Sequence, residues 1–177
     1  MWGVLQAAGN PNAYDITTWD PNVDQITFTS EVFYNNPLVK KALNAPANIT
    51  WHGCRQGEGR RRLTEQHRRL YMVNDRPWNV VPYVADVLDA GIPVVVYNGD
   101  RDMTTNMVGS ELLLNRMEWS GQKEWMDAPR GLWMVNGTQA GWAKEYGHLS
   151  FVVVYNSGHM VPYNQPKPAF DLVTRLL

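Results

Sequence analysis

This 177-residue chain has almost no cysteine: Cys54 stands alone, so no disulfide can form within it, and in a complete protein that would point to a reducing compartment. Long apolar runs are missing too. The stretch around Phe151 to Tyr155 falls far short of the roughly 18 residues a bilayer-spanning helix needs, so no transmembrane helix is expected. Neither charge sign is in surplus. With 16 Lys and Arg against 17 Asp and Glu, there is no overall field to hold a nucleic acid or an anionic membrane surface, and neither is expected as a partner. The first ten residues lack the basic stretch and apolar core of a signal peptide, so secretion is not legible there. What the chain does have is aromatic residues: eight Trp, eight Tyr and four Phe promise a packed core in one domain of ordinary size.

The pattern of apolar residues predicts an α/β protein. Residues 1–35 read as an irregular opening segment, rich in Asn, Asp, Thr and Pro between Pro11 and Gln25. Residues 36–91 read as helical. Asn36 and Pro37 suit an N-cap and a first helical position, with Leu38, Val39, Ala42 and Leu43 at helical spacing behind them. A second amphipathic helix is predicted over Arg60–Asn74. A third is predicted over Asp75–Ala90, with Val80, Val81, Val84, Val87 and Leu88 inward and Gly91 as its stop.

Residues 92–177 read as sheet and helices. Ile92–Tyr97 and Phe151–Tyr155 are continuous apolar runs, the pattern of parallel strands covered on both faces. Between them lie a helix over Asn106–Met117 and two short strands, Trp133–Val135 and Gly141–Lys144, joined around the hairpin dipeptide Asn136-Gly137. Pro166–Leu177 closes the chain as a helix with Ala169, Phe170, Val173, Leu176 and Leu177 inward. Two parallel strands and one hairpin leave open edges of a kind native sheets avoid, so a larger sheet is expected to continue before Met1.

Sites in such sheets form at the carboxyl ends of strands. Asp102 follows the first buried run and His159 follows the second, which places them on one rim although they are far apart in sequence. A carboxylate that orients an imidazole needs that proximity. The order Asp then His also matches the Ser, Asp, His chain order of α/β-hydrolases, in which His takes the nucleophile's proton and Asp sets its tautomer. Taken singly, each has a plainer reading: Asp102 as a solvated turn acid, His159 as a residue packed beside Pro162.

Here the motifs become specific. Val96-Tyr97-Asn98-Gly99-Asp100-Arg101-Asp102, and Ser157-Gly158-His159-Met160-Val161-Pro162 with Gln165-Pro166, resemble the aspartate and histidine signatures of the serine carboxypeptidases, an α/β-hydrolase family of lysosomes, vacuoles and secretions. Asn12-Ala13-Tyr14-Asp15-Ile16, Val39-Lys40-Lys41-Ala42-Leu43 and Trp51-His52-Gly53-Cys54 resemble the family's opening motif, short helix and Trp-x-x-Cys loop. The resemblance implies a partial α/β-hydrolase domain over residues 1–177, the C-terminal part of its sheet with flanking helices. It makes Asp102 and His159 the triad acid and base, with a peptide as substrate. Met160 corresponds to a wall of the pocket for the leaving amino acid, and Thr105 stands beside the site where many members carry a cysteine. Asn164 replaces the usual Asp before Gln-Pro, and caps a helix as well.

One departure is decisive, because none of Ser30, Ser110, Ser120, Ser150 and Ser157 lies in Gly-x-Ser-x-Gly. Ser110 comes nearest, with Gly109 before it, but a helical pattern surrounds it. In the resembling family the nucleophile belongs to a region upstream of the matched one, so the expected partner is a missing N-terminal half. The alternatives are a non-catalytic truncated remnant or binding protein, and an acyltransferase of the same family. The resemblance also reinterprets Cys54 as a residue whose disulfide partner lies in that half. It implies a lysosomal, vacuolar or secreted protein, in which the sequons at Asn48 and Asn136 would carry glycans. No metal or other cofactor is expected: His52, His67 and His148 lack partners at ligand spacing, and there is no phosphate-cradling glycine loop. The arginines between Arg60 and Arg69 alternate with Glu65 and read as a solvated helix face.

Overall fold

A computed structural model of the chain describes residues 6–9, 11–18, 25–52 and 79–176. Contacts divide the chain into two compact units, Asp20–Trp78 and, discontinuously, Met1–Trp19 with Asn79–Leu177. No shift in composition marks that division.

In the first unit, helix α1 (Gln25–Asn35) occupies the end of the stretch expected to be irregular. Its β-branched Ile26, Thr27, Thr29 and Val32 are poor helix formers and conceal the helical period. Helix α2 (Pro37–Ala42) starts where the sequence predicts: the Asn36 side chain accepts from the Leu38 amide at 2.9 Å, and Pro37 fills the first turn. None of its residues is fully buried, however, and Leu38 is 77% exposed. The unit is tied instead through Asn35, which exchanges two 2.8 Å bonds with the Trp51 backbone while Tyr34 packs on the Trp51 ring. The helix predicted over Arg60–Asn74, its His67 and Cys54 all lie outside the described residues.

The second unit carries the sheet. Helix α3 (Val81–Asp89) leads into strand β1 (Val94–Gly99), followed by helices α4 (Met107–Arg116) and α5 (Gln122–Asp127). Strands β2 (Arg130–Val135), β3 (Thr138–Tyr146) and β4 (Leu149–Val154) come next, then helices α6 (Val161–Asn164) and α7 (Pro166–Leu176). The order across the sheet is β1-β4-β3-β2, with β1 parallel to β4 and the other pairs antiparallel. The fold is thus a mixed sheet with flanking helices. The hairpin turns at Asn136 and Gly137, whose φ angles of +49° and +78° suit a two-residue turn whose twist matches the strands. Helices α5 and α6, too short to show a period, were not expected.

Strand β4 is apolar from Phe151 to Val154 because it lies inside the sheet with a core on each face; Ser150, near its start, is only half-buried. Leu149, Phe151 and Val153 pack with Ala85, Leu88, Leu114 and Trp125 on one side. Val152 and Val154 pack with Trp133, Val135, Val161 and Leu172 on the other. Two inward faces differ from expectation. On α3 Leu88 is buried and Val81 and Val84 pack against the core as expected, but Ala85 completes that face while Val80, just before the helix, and Val87 are exposed. On α7 Leu172 is buried and Ala169 partly so, whereas Phe170 and Val173 are exposed. The roll of α7 follows from a polar demand: the Asp171 carboxylate accepts from the indole N–H of buried Trp133 at 3.0 Å, and an indole needs such an acceptor.

Candidate active site

The carboxyl ends of β1 and β4 lie side by side because their register pairs Gly99 with Val154. The loops that leave them are cross-linked. Asp100 N–H donates to the Val154 carbonyl at 3.1 Å, Arg101 N–H to the Ser157 carbonyl at 2.9 Å, and Ser157 N–H to the Asp100 carboxylate at 3.1 Å. Gly99 is required at this junction, since a Cβ there would lie 2.2 Å from the Ser157 carbonyl oxygen.

On this scaffold His159 Nδ1 stands 2.8 Å from Asp102 Oδ2. The Asp102 side chain is 3% exposed and that of His159 40%. The other carboxylate oxygen of Asp102 accepts from the amides of Thr104 at 2.8 Å and Thr105 at 3.1 Å, so the buried acid is fully engaged. A carboxylate only accepts, which makes Nδ1 the donor and leaves the lone pair of the neutral ring on Nε2, free to take a proton from a hydroxyl. This is how a histidine base is oriented for nucleophilic catalysis.

The structure brings together Asp102, His159 and, through its backbone, Thr105. The Thr105 carbonyl is held in turn by the Asn98 side chain at 2.8 Å. Met160 follows His159 directly, half-exposed, at the N-cap of α6. Ser110 lies inside α4 and not at a strand-to-helix elbow. Asn48 is exposed in the first unit, and Asn136 is exposed at the tip of the β2–β3 hairpin in the second. Among the described residues no group of three His, Cys, Asp or Glu side chains is placed to hold a metal ion. Asn98 and Asp100 stand in the aspartate motif and Ala13 and Tyr14 in the opening motif, but that their side chains or backbone hold the two loops was not legible in the sequence. A motif fixes which residues stand together in the chain and is mute about which distant amide or carbonyl each will meet.

A buried carboxylate holding an imidazole at this rim is the arrangement by which α/β-hydrolases activate a hydroxyl. A family model described as serine carboxypeptidase matches residues 8–177, and the chain belongs to that family. It is 36% identical over 180 residues to carboxypeptidase Y of Candida albicans, a match that takes in 98% of this chain and 31% of that protein. It is 33% identical to a serine carboxypeptidase-like protein of Pisum sativum, over 96% of this chain and 56% of the relative. Among solved structures, the fold matches that of the prohormone-processing carboxypeptidase Kex1(Δ)p of Saccharomyces cerevisiae with a TM-score of 0.74 at 23% identity, covering 93% of this chain and 35% of the other. The chain therefore spans from under a third to somewhat over half the length of these relatives.

Proposed function

We propose that this chain supplies the acid–base part of a serine-type carboxypeptidase, acting on a seryl hydroxyl carried by polypeptide outside these 177 residues. The observation that carries the reading is the 2.8 Å contact between His159 and Asp102 inside a family match that runs over residues 8–177. His159 Nε2 removes the seryl proton as the oxygen attacks the carbonyl of the last peptide bond. The resulting imidazolium, stabilised by Asp102, gives that proton to the leaving amino acid as the C–N bond breaks. A water molecule then repeats the cycle on the acyl-enzyme and releases the shortened peptide. Met160 and Thr105 border the leaving residue, and no metal or other cofactor takes part. The setting is the lysosome, vacuole or cell exterior, with glycans on Asn48 and Asn136. Absence of a Gly-x-Ser-x-Gly segment favours one second reading, a non-catalytic binding remnant.

The test joins this chain to the upstream portion of Candida albicans carboxypeptidase Y that precedes the matched region. The chimera is incubated with an N-blocked dipeptide and the freed amino acid measured. Turnover is expected from the chimera, none from the 177-residue chain alone, and none from the His159→Ala chimera. A folded chimera without turnover favours the binding remnant.

A further inference from the structure

We propose that the segment Asn12–Ile16 is a clasp that positions Asp102 and His159 by gripping both of their loops at once, with Asn12 as its positioning residue. The inference rests on reading that pair as the acid–base machinery. On the aspartate side, the Ala13 carbonyl accepts from the amides of Met103 at 3.0 Å and Thr104 at 3.1 Å and from the Thr104 hydroxyl at 3.2 Å. The Ile16 amide donates to the Arg101 carbonyl at 3.1 Å. On the histidine side, the Tyr14 carbonyl accepts from the His159 amide at 2.7 Å, and the Tyr14 ring centroid lies 5.1 Å from that of the imidazole. The Thr104 amide is shared, since it also donates to the Asp102 carboxylate at 2.8 Å. A shift of the clasp is thereby felt at the carboxylate through a single N–H.

Closeness of fit supports the same conclusion. A Cβ on Gly158 would lie 2.3 Å from the Tyr14 carbonyl oxygen and 2.8 Å from Asp15 Cβ, so the histidine loop runs against the clasp with no room for a side chain. The clasp has its own internal bracing. The Asn12 side chain accepts from the Tyr14 amide at 2.9 Å and donates to the Thr18 hydroxyl at 3.2 Å. Asp15 accepts from the amide and hydroxyl of Thr17 at 3.0 and 2.6 Å. The Asp102 and His159 loops leave two different strands, and an acid–base pair must be held to within about half an ångström to work. A third segment bonded to both loops meets that need, and Asn12 sets its shape without touching either residue.

The test uses the 177-residue chain and needs no nucleophile. Asn12→Ala, Asn12→Asp and Gly158→Ala are compared with wild type by amide hydrogen exchange and by ¹⁵N NMR of the His159 ring, at a pH above the usual histidine range. In Asn12→Ala the amides of His159 and Thr104 are expected to exchange about tenfold faster and the Nδ1–H signature to fade, while Val152 and Val153 in β4 stay protected. Asn12→Asp keeps the acceptor for the Tyr14 amide and should behave as wild type. Gly158→Ala should act like Asn12→Ala. Unchanged His159 exchange and tautomer in Asn12→Ala would overturn the proposal. Equal loss of protection in β4 would also overturn it, since that marks general destabilisation. A chain that responds as expected yet gives no turnover in the chimera sinks the proposed activity and leaves the clasp standing.

Discussion

Replacing Gly99 by alanine should be among the most damaging single-methyl additions to this fold, because the backbone of the histidine loop lies directly against its Cα. The new Cβ would lie 2.2 Å from the Ser157 carbonyl oxygen and 2.3 Å from that of Gly158, and both obstacles are backbone. An unstrained carbon–oxygen contact needs about 3.3 Å, so the two loops must part by about 1 Å. Overpacking of this kind costs about 1–3 kcal/mol. The parting also stretches the Arg101–Ser157 and Ser157–Asp100 bonds of 2.9 and 3.1 Å, each worth about 1 kcal/mol. A total near 3 kcal/mol is a large part of the roughly 5–15 kcal/mol that holds a domain folded. Gly131→Ala is the control: its nearest neighbour is 4.0 Å from the added Cβ and its φ is not positive, so alanine there should be neutral or slightly stabilising. Urea unfolding followed through tryptophan fluorescence reads both. With a slope of about 2 kcal/mol per molar, Gly99→Ala should lower the midpoint by about 1.5 M. A midpoint for Gly99→Ala equal to that of Gly131→Ala would refute the reasoning.

Three further outcomes are expected. Asp102→Asn, made in the chimera with the carboxypeptidase Y upstream portion, should lower kcat about 10⁴-fold with protein yield unchanged, because the amide can present its N–H to Nδ1 and favour the wrong tautomer; steady-state assay of amino-acid release checks it, and a loss under tenfold would count against the assigned roles. Trp125→Ala should cost about 3–5 kcal/mol in urea unfolding, since a fully buried indole is lost together with its 3.0 Å bond to Asn115 and its 4.7 Å contact with the Lys144 ammonium. Asp89 is held below its ordinary value of 3.8 by the hydroxyl and then the amide of Ser120, so folding favours its charged form. That contribution is present above 3.8 and is lost as pH falls through the lower folded-state value, so Asp89→Asn should flatten the acid side of a melting-temperature profile; identical acid slopes for the two proteins would rule this out.

Much of this protein is decided locally, and those parts were open to reading. Asn36 before Pro37, and Asn136-Gly137 between two apolar stretches, act through their own backbone preferences, so the start of α2 and the hairpin turn needed no knowledge of neighbours. The unbroken run Phe151–Val154 of β4 announces a strand covered on both faces, and all four of those side chains are buried. The motifs around Asp102 and His159 carry the family, and the parallel pairing of two apolar strands was enough to place both residues on one rim, although only β4 is covered on both faces: β1 lies at the edge of the described sheet with Tyr97 exposed.

Other features depend on partners distant in the chain. Helix α1 forms although its β-branched residues argue against it, since propensity is a weak term that context overrides. Which side of α7 turns inward was settled by the buried indole of Trp133 seeking Asp171, a demand that cannot be seen within α7 itself. The clasp is the clearest case. Nothing in Asn12-Ala13-Tyr14-Asp15 specifies that its carbonyls will meet Thr104 and His159, because a backbone carbonyl is the same in every residue and only the tertiary path of the chain determines which amide it faces. The sequence by itself determined which residues could do chemistry; the tertiary structure decided what holds them, because hydrogen bonds and close packing act over a few ångströms and bring together loops that the chain keeps far apart.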